Sequence, residues 1–238
     1  MSQATQTAGH RSRASARLGL TLRSMLLSPR SGFEAAMTAW DRRSRTTETP
    51  SQGALPTVLA FAGGAGAMLL WLKIGALLGV RDASAEGFEW TLLLASLAIG
   101  GLVYVVAQAL WGLAGPRVVS TLHGDASSGP LRLVWAAAAC PPALALLLLP
   151  VDLVVVGPEA VTSTGPAETM ATAWAALSIS LQVAAAIWAL YLLFRGTQVV
   201  GRLNIGPALV ASVVALALVV LLTAGLQAGL TALAGGTT

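Results

Sequence analysis

The sequence predicts an all-α, polytopic membrane protein: five transmembrane helices preceded by an N-terminal amphipathic segment. Three observations carry that reading. Of the 238 residues, 55% are hydrophobic and 10% are charged, with a mean hydropathy of +0.75. Soluble domains carry about 25% charged residues, so this chain lacks the polar surface that water demands. The apolar residues gather into five runs, each near the roughly 20 residues a helix needs to cross about 30 Å of hydrocarbon. Backbone groups in lipid must find their partners within the chain, so those runs are helices. A soluble enzyme, a disordered chain and a nucleic-acid-binding domain are all disfavoured, although the pI is near 10.2.

Residues 1–17 (MSQATQTAGHRSRASAR) are small, polar and basic, and too poor in apolar groups to fold. No apolar core follows them closely enough for a secretory signal peptide. The segment 18–53 is an amphipathic juxtamembrane region with a linker, TTETPSQG, at 46–53. Leu18, Leu22, Met25 and Leu26 recur at helical spacing, and Phe33, Met37 and Trp40 repeat it. Two helix starts fit. Ser28 can cap a helix with Pro29 at its first position, and Ser31 with Glu34 matches a capping box.

The transmembrane domain occupies 54–232, with a short external tail at 233–238. Its first run is Leu55 to Gly79, followed by the polar loop RDASAEGFE at 81–89. The second runs from Trp90 to Gly115, where Pro116 is expected to stop it. The third extends from Leu131 to Leu149, and Pro141–Pro142 in its middle are expected to break or kink it. Loop 150–168 holds Asp152, Glu159, Glu168 and an LVVV stretch too short to span. The fourth run is Thr169 to Phe194, and the connector 195–206 leads to the fifth, Pro207 to Leu230.

Charge orients these helices. Eight arginines precede the first span: Arg11, Arg13, Arg17, Arg23, Arg30, Arg42, Arg43 and Arg45. With a cytoplasmic N-terminus, Arg117, Arg132, Arg195 and Arg202 also lie inside, which places 12 of the 14 basic residues there. Asp82, Glu86, Glu89, Asp152, Glu159 and Glu168 then fall outside. Positive-inside bias acts through short loops, and every loop agrees: N-terminus in, C-terminus out. Arg30, Arg42, Arg43 and Arg45 with Phe33 and Trp40 form a candidate membrane-surface set that would dock on anionic lipid. The arginines could equally serve topology alone.

Few residues could carry chemistry. Lys73 is the only lysine, and it lies inside a span. An intramembrane charge is a functional candidate by default, yet Lys73 is only about six residues, roughly 9 Å of helix, from the outer end of its run. The favoured expectation is that it snorkels outward and meets Glu86 or Glu89. Gln108, Gln182 and Gln227 place one amide in each of three spans, for helix–helix hydrogen bonds or for a polar path. Small residues recur four apart, Ala60 with Gly64, Ala62 with Gly66 and Gly75 with Gly79, and predict close helix packing together with Gly63 and Gly100–Gly101. The single Cys140 has nothing to pair with in the chain. His10 and His123 fall outside the spans, so membrane-embedded bis-histidine haem is excluded. HExxH, Walker A and GxSxG patterns are absent, and no catalytic, metal or cofactor constellation emerges.

The segment LLSPRSGFE (26–34) resembles the opening of the Yip domain, the Ypt-interacting membrane proteins, in which a proline and a phenylalanine follow a short apolar stretch. LHGDASSGPLRLVWAAAACPPALALLLLP (122–150) is similar to that family's His/Gly loop leading into a proline-bearing third span. The tryptophan-led fourth span, its short basic connector and the fifth span are also similar, so the resemblance covers roughly 18–230. The connector RGTQVVGRLNIGPA departs from the histidine- or serine-containing form of the family. The resemblance implies a membrane protein that works through partners. Alanine- and arginine-rich, lysine-poor usage points to a bacterial genome and its cytoplasmic (inner) membrane. The expectation is therefore a non-catalytic protein that binds anionic lipid and another membrane protein or itself, with no cofactor and no nucleic acid, as a scaffold or accessory of an assembly such as a transporter. The alternative is a transporter or channel subunit with a polar path between the helices.

Overall fold

The computed structural model describes residues 23–44, 54–77, 90–157 and 169–235, without the side chains of 42–44, 92, 169 and 227–235. After a helical stretch at 23–27, the described residues form α1 (Pro29–Ser44), α2 (Leu55–Leu77), α3 (Trp90–Thr121), α4 (Ser128–Ala145), α5 (Leu148–Val155), α6 (Thr169–Val200) and α7 (Ile205–Gly235). No strand occurs among the described residues. Five stretches are long and apolar enough to cross a membrane: Leu55–Leu77, Leu93–Thr121, Ser128–Val155, Met170–Val200 and Ile205–Leu226. The third is made of α4 and α5 together.

Proline placement explains many of the boundaries. Pro29, Pro56, Pro130, Pro150 and Pro207 all sit in the first turn of their helices, where a missing N–H has no carbonyl to serve. The Ser28–Pro29 start is the one adopted. Gly32 N–H bonds the Ser28 carbonyl at 2.9 Å, and Ser31, inside the helix, donates its hydroxyl to the same oxygen at 3.1 Å.

Three expected interruptions lie elsewhere. Pro116 does not end the second span: it sits inside α3, which runs on to Thr121. A proline removes one donor, here the one for Gly112, while the turns on either side remain bonded. Likewise α4 continues through Pro141 and Pro142 without breaking there, and the helix is interrupted further on, at Leu146–Leu147. There the bonds tighten to three-residue spacing, Leu146 to Ala143 at 3.2 Å and Leu147 to Leu144 at 3.0 Å. Pro150, harmless in a first turn, lets a new helix begin just beyond. As a result the third span reaches Val155, and Asp152 belongs to it rather than to an outer loop. The connector after the fourth span shrinks to 201–204 because α6 continues to Val200.

α4 is the central helix. It packs against α2, α3 and α6, with α1 and α5 at its margins. Its AAAAC stretch is small on every side and buried throughout, as expected of a helix enclosed by others. The glycines of α2 make this possible. A Cβ on Gly63 would meet the Ala139 carbonyl oxygen at 2.5 Å, and one on Gly66 would collide with the backbone of Pro142. Gly64 touches Gly100, and Gly101 receives the ring of Phe61. Gly75 faces open space, so the small-residue stripe serves packing only along the middle of α2.

α3 and α6 have 32 residues each, roughly 48 Å of helix, and so outreach the hydrocarbon. Both end in the same way. His123 (φ 63°) and Arg202 (φ 50°) take the left-handed conformation that closes a helix. Gly124 N–H then bonds Val119 O at 2.9 Å, and Leu203 N–H bonds Gln198 O at 3.0 Å. The two ends meet: Asp125 N–H reaches the Gly201 carbonyl at 3.1 Å, and Gly124 lies too close to that oxygen to bear a Cβ.

α1 docks at this end of the bundle, mainly on α6. Phe33 was expected at the bilayer surface, but it is fully buried, its ring against Gly196 and Val134. An aromatic that large gains more from a preformed gap beside a glycine than from an interface it only half enters.

Candidate functional site

The strongest polar feature lies inside the membrane-spanning helices. Lys73 of α2, Asp152 of α5, and Trp174 and Ser178 of α6 converge although they are far apart in sequence. Lys73 Nζ donates to Asp152 Oδ2 and, at 2.8 Å, to Ser178 Oγ. Trp174 Nε1 donates to Asp152 Oδ1 at 2.9 Å. Lys73 is 3% exposed and Asp152 1%, so both charges are withdrawn from solvent.

Lys73 therefore does not snorkel. The sequence placed its nearest carboxylates at Glu86 and Glu89, which lie outside the described residues. Asp152 supplies a charge at the lysine's own depth, which spares the stem the reach to the interface. Both carboxylate oxygens hold donors, as a buried ion pair requires if its Coulomb gain is to offset desolvation. The outcome is a neutral clamp joining three helices. It presents no free nucleophile or base.

Asp152 is the residue that sequence reasoning missed as a site. Its signal was available: a single acid in LLPVDLVV, flanked by apolar residues, in a chain with one intramembrane lysine. Trp174 and Ser178 stand four apart, on one face of α6, and gave no signal without their partner.

Two of the glutamines can be placed. Gln108, 1% exposed, donates from Nε2 to the Pro56 carbonyl at 3.1 Å and the Arg132 carbonyl at 3.3 Å. It ties α3 to the starts of α2 and α4. Gln182, one turn beyond Ser178, is 2% exposed, and neither its Nε2 nor its Oε1 has a partner. It borders a cavity of about 260 Å³ at the centre of the bundle, with Gly66, Tyr104, Trp135 and Pro142 among the other walls. The side chain of Gln227 lies outside the described residues. Neither this cavity nor a neighbouring one of about 390 Å³ is lined by Lys73, Asp152 or Gln108.

The candidate membrane-surface set is divided by the fold. Arg30 is exposed and pairs with Glu34 at 3.1 Å, an i,i+4 contact on the outer face of α1. Trp40 is half-buried, whereas Phe33 belongs to the core. The side chains of Arg42 and Arg43, and all of Arg45, lie outside the described residues. Among the described residues, no group of three His, Cys, Asp or Glu comes together in a way that could hold a metal ion. Cys140 is buried and donates weakly to the Ala136 carbonyl at 3.5 Å.

No family model matches the sequence, and comparison with curated proteins and with solved structures returns no match either.

Proposed function

We propose that this chain is a non-catalytic, multi-pass protein of the Yip type in a bacterial cytoplasmic membrane, acting as a scaffold or accessory partner of another membrane assembly such as a transporter. One observation carries the reading: Lys73, Asp152, Trp174, Ser178 and Gln108 all bond one another or backbone carbonyls, so they hold helices together and leave no reactive group free. The loop charges support a cytoplasmic N-terminus and an external C-terminus. On that orientation the paired ends of α3 and α6, with α1 beside them, form the cytoplasmic face. Arg30 and Trp40, with the arginines at 42, 43 and 45, then meet anionic headgroups.

The outward faces of α6 and α7 suit a membrane partner, since Ile187, Leu209, Val213 and Leu221 are all well exposed. Photo-crosslinking from those four positions in living cells tests this. The expected result is a discrete product with one protein, arising from one face and surviving mild detergent. Lipid adducts alone at every position would overturn it. The alternative reading, a transport subunit with a polar path, draws on the unpartnered Gln182 beside the central cavity. Solute flux through proteoliposomes of the purified chain would favour that alternative.

A further inference from the structure

We infer that the central cavity is a binding site for a neutral, single-chain amphiphile drawn from the bilayer, its head on Gln182 and its chain leading out between α2 and α7. The inference goes beyond the accessory role and holds whether or not a protein partner exists.

Gln182 lies near the middle of its span, at membrane depth, with an amide that can donate and accept and does neither. Leaving such a group unmade in an apolar interior costs the full desolvation penalty. A second wall residue, Trp135, also buries an indole N–H that has no acceptor. Pro142, a third, has no N–H to give the Ala138 carbonyl one turn back on the same wall. Unpartnered Trp111 Nε1 and Thr197 Oγ1 lie away from this cavity, whereas Gln182, Trp135 and a carbonyl without its helical donor share its wall.

A route to this space exists. The neighbouring cavity of about 390 Å³ shares Ala67, Tyr104 and Val219 with the first, so the two adjoin. Its walls include Trp71 and Val220, which are 62% and 60% exposed on the outer face of the bundle. α7 packs on α3 and α6 but not closely on α2, so the gap between α2 and α7 faces the bilayer. Together the two cavities reach the volume range of small-molecule sites, about 300–1,000 Å³.

The chemistry of the walls defines the occupant. Among the described residues no charged side chain lines either cavity, which argues against an ionic or zwitterionic head. An ester carbonyl only accepts and would leave Gln182 Oε1 unmet. A hydroxyl, a protonated carboxyl or an amide both donates and accepts, and satisfies the glutamine in full.

The test uses the full-length protein in nanodiscs of phosphatidylethanolamine and phosphatidylglycerol, with a diazirine-bearing long-chain alcohol as the probe. Labelling should saturate, should map to the segment 186–193 and to Leu216 or Val219, and should be displaced by unlabelled hexadecanol. The methyl ether of the probe, which lacks the donor, should label about tenfold less. Gln182→Leu removes two unpaired polar atoms, so it should keep or raise the melting temperature while reducing labelling by alcohol about tenfold. Absent or unsaturable labelling, labelling spread over outward residues such as Leu209 and Leu221, or equal labelling in Gln182→Leu would each overturn the inference. Equal labelling by the ether would do the same. No partner protein is present in this assay, so its failure leaves the accessory reading untouched, and a failed cross-link to a partner leaves this site untouched.

Discussion

Lys73 and Asp152 are 79 residues apart in the chain, yet they form a buried ion pair that fastens the half-helix α5 to α2. Trp174 and Ser178 complete it from α6, one on each partner. The pair sits beyond the helical interruption at Leu146–Leu147, where the backbone of the third span has least support of its own.

Breaking this pair from one side should be severe. Lys73→Met or Asp152→Leu alone strands a buried charge and should cost about 3–5 kcal/mol. Making both changes together should cost clearly less than the sum of the two single losses, by a coupling energy of at least about 2–3 kcal/mol. Thermal unfolding in mild detergent, run as a double-mutant cycle, measures it. Additive losses would mean that the two side chains do not act on each other.

Two glycines of α2 should respond in opposite senses. Gly66→Ala drives a Cβ into the backbone of Pro142, which cannot rotate away, and should destabilise by about 1–3 kcal/mol or more. Gly75→Ala meets nothing within 4 Å and should gain up to about 1 kcal/mol of helix propensity. Comparing melting temperatures decides between them. Equal effects would contradict the packing of α2 on α4.

The paired helix ends offer a third test. His123→Gly and Arg202→Gly relieve a left-handed backbone that costs an L-residue about 1–2 kcal/mol, so each should stabilise by up to that amount. Gly124→Ala should do the reverse, because its Cβ would press on the Gly201 carbonyl. A stabilised Gly124→Ala protein would show that the two turns are not in contact.

Phe33 and Trp40 should separate by function. Phe33→Ala empties a fully buried site and should cost about 3–5 kcal/mol of stability. Trp40→Ala should leave folding nearly unchanged while weakening attachment of the head to anionic vesicles, an attraction that salt screens over about 8 Å at physiological strength. Reporter fusions within residues 1–50 should score as cytoplasmic and one after Thr238 as external. A cytoplasmic score after Thr238 would refute the proposed orientation.

The sequence by itself determined the helical class, the five spans and the small-residue packing along the middle of α2, because each depends on local composition. Twenty apolar residues must become a helix in lipid wherever they occur, and glycine lacks a Cβ in any context. The charge asymmetry of the loops is equally local. Where each helix stops was decided by tertiary structure. Pro116, Pro141 and Pro142 each remove only one donor, and α3 and α4 continue through them. The site was decided the same way. Asp152 reads as a loop residue until α5 carries it inward, and Lys73 reads as a snorkelling lysine until that carboxylate arrives at its depth. A buried ion pair is a property of two positions brought together, and no window of sequence contains both.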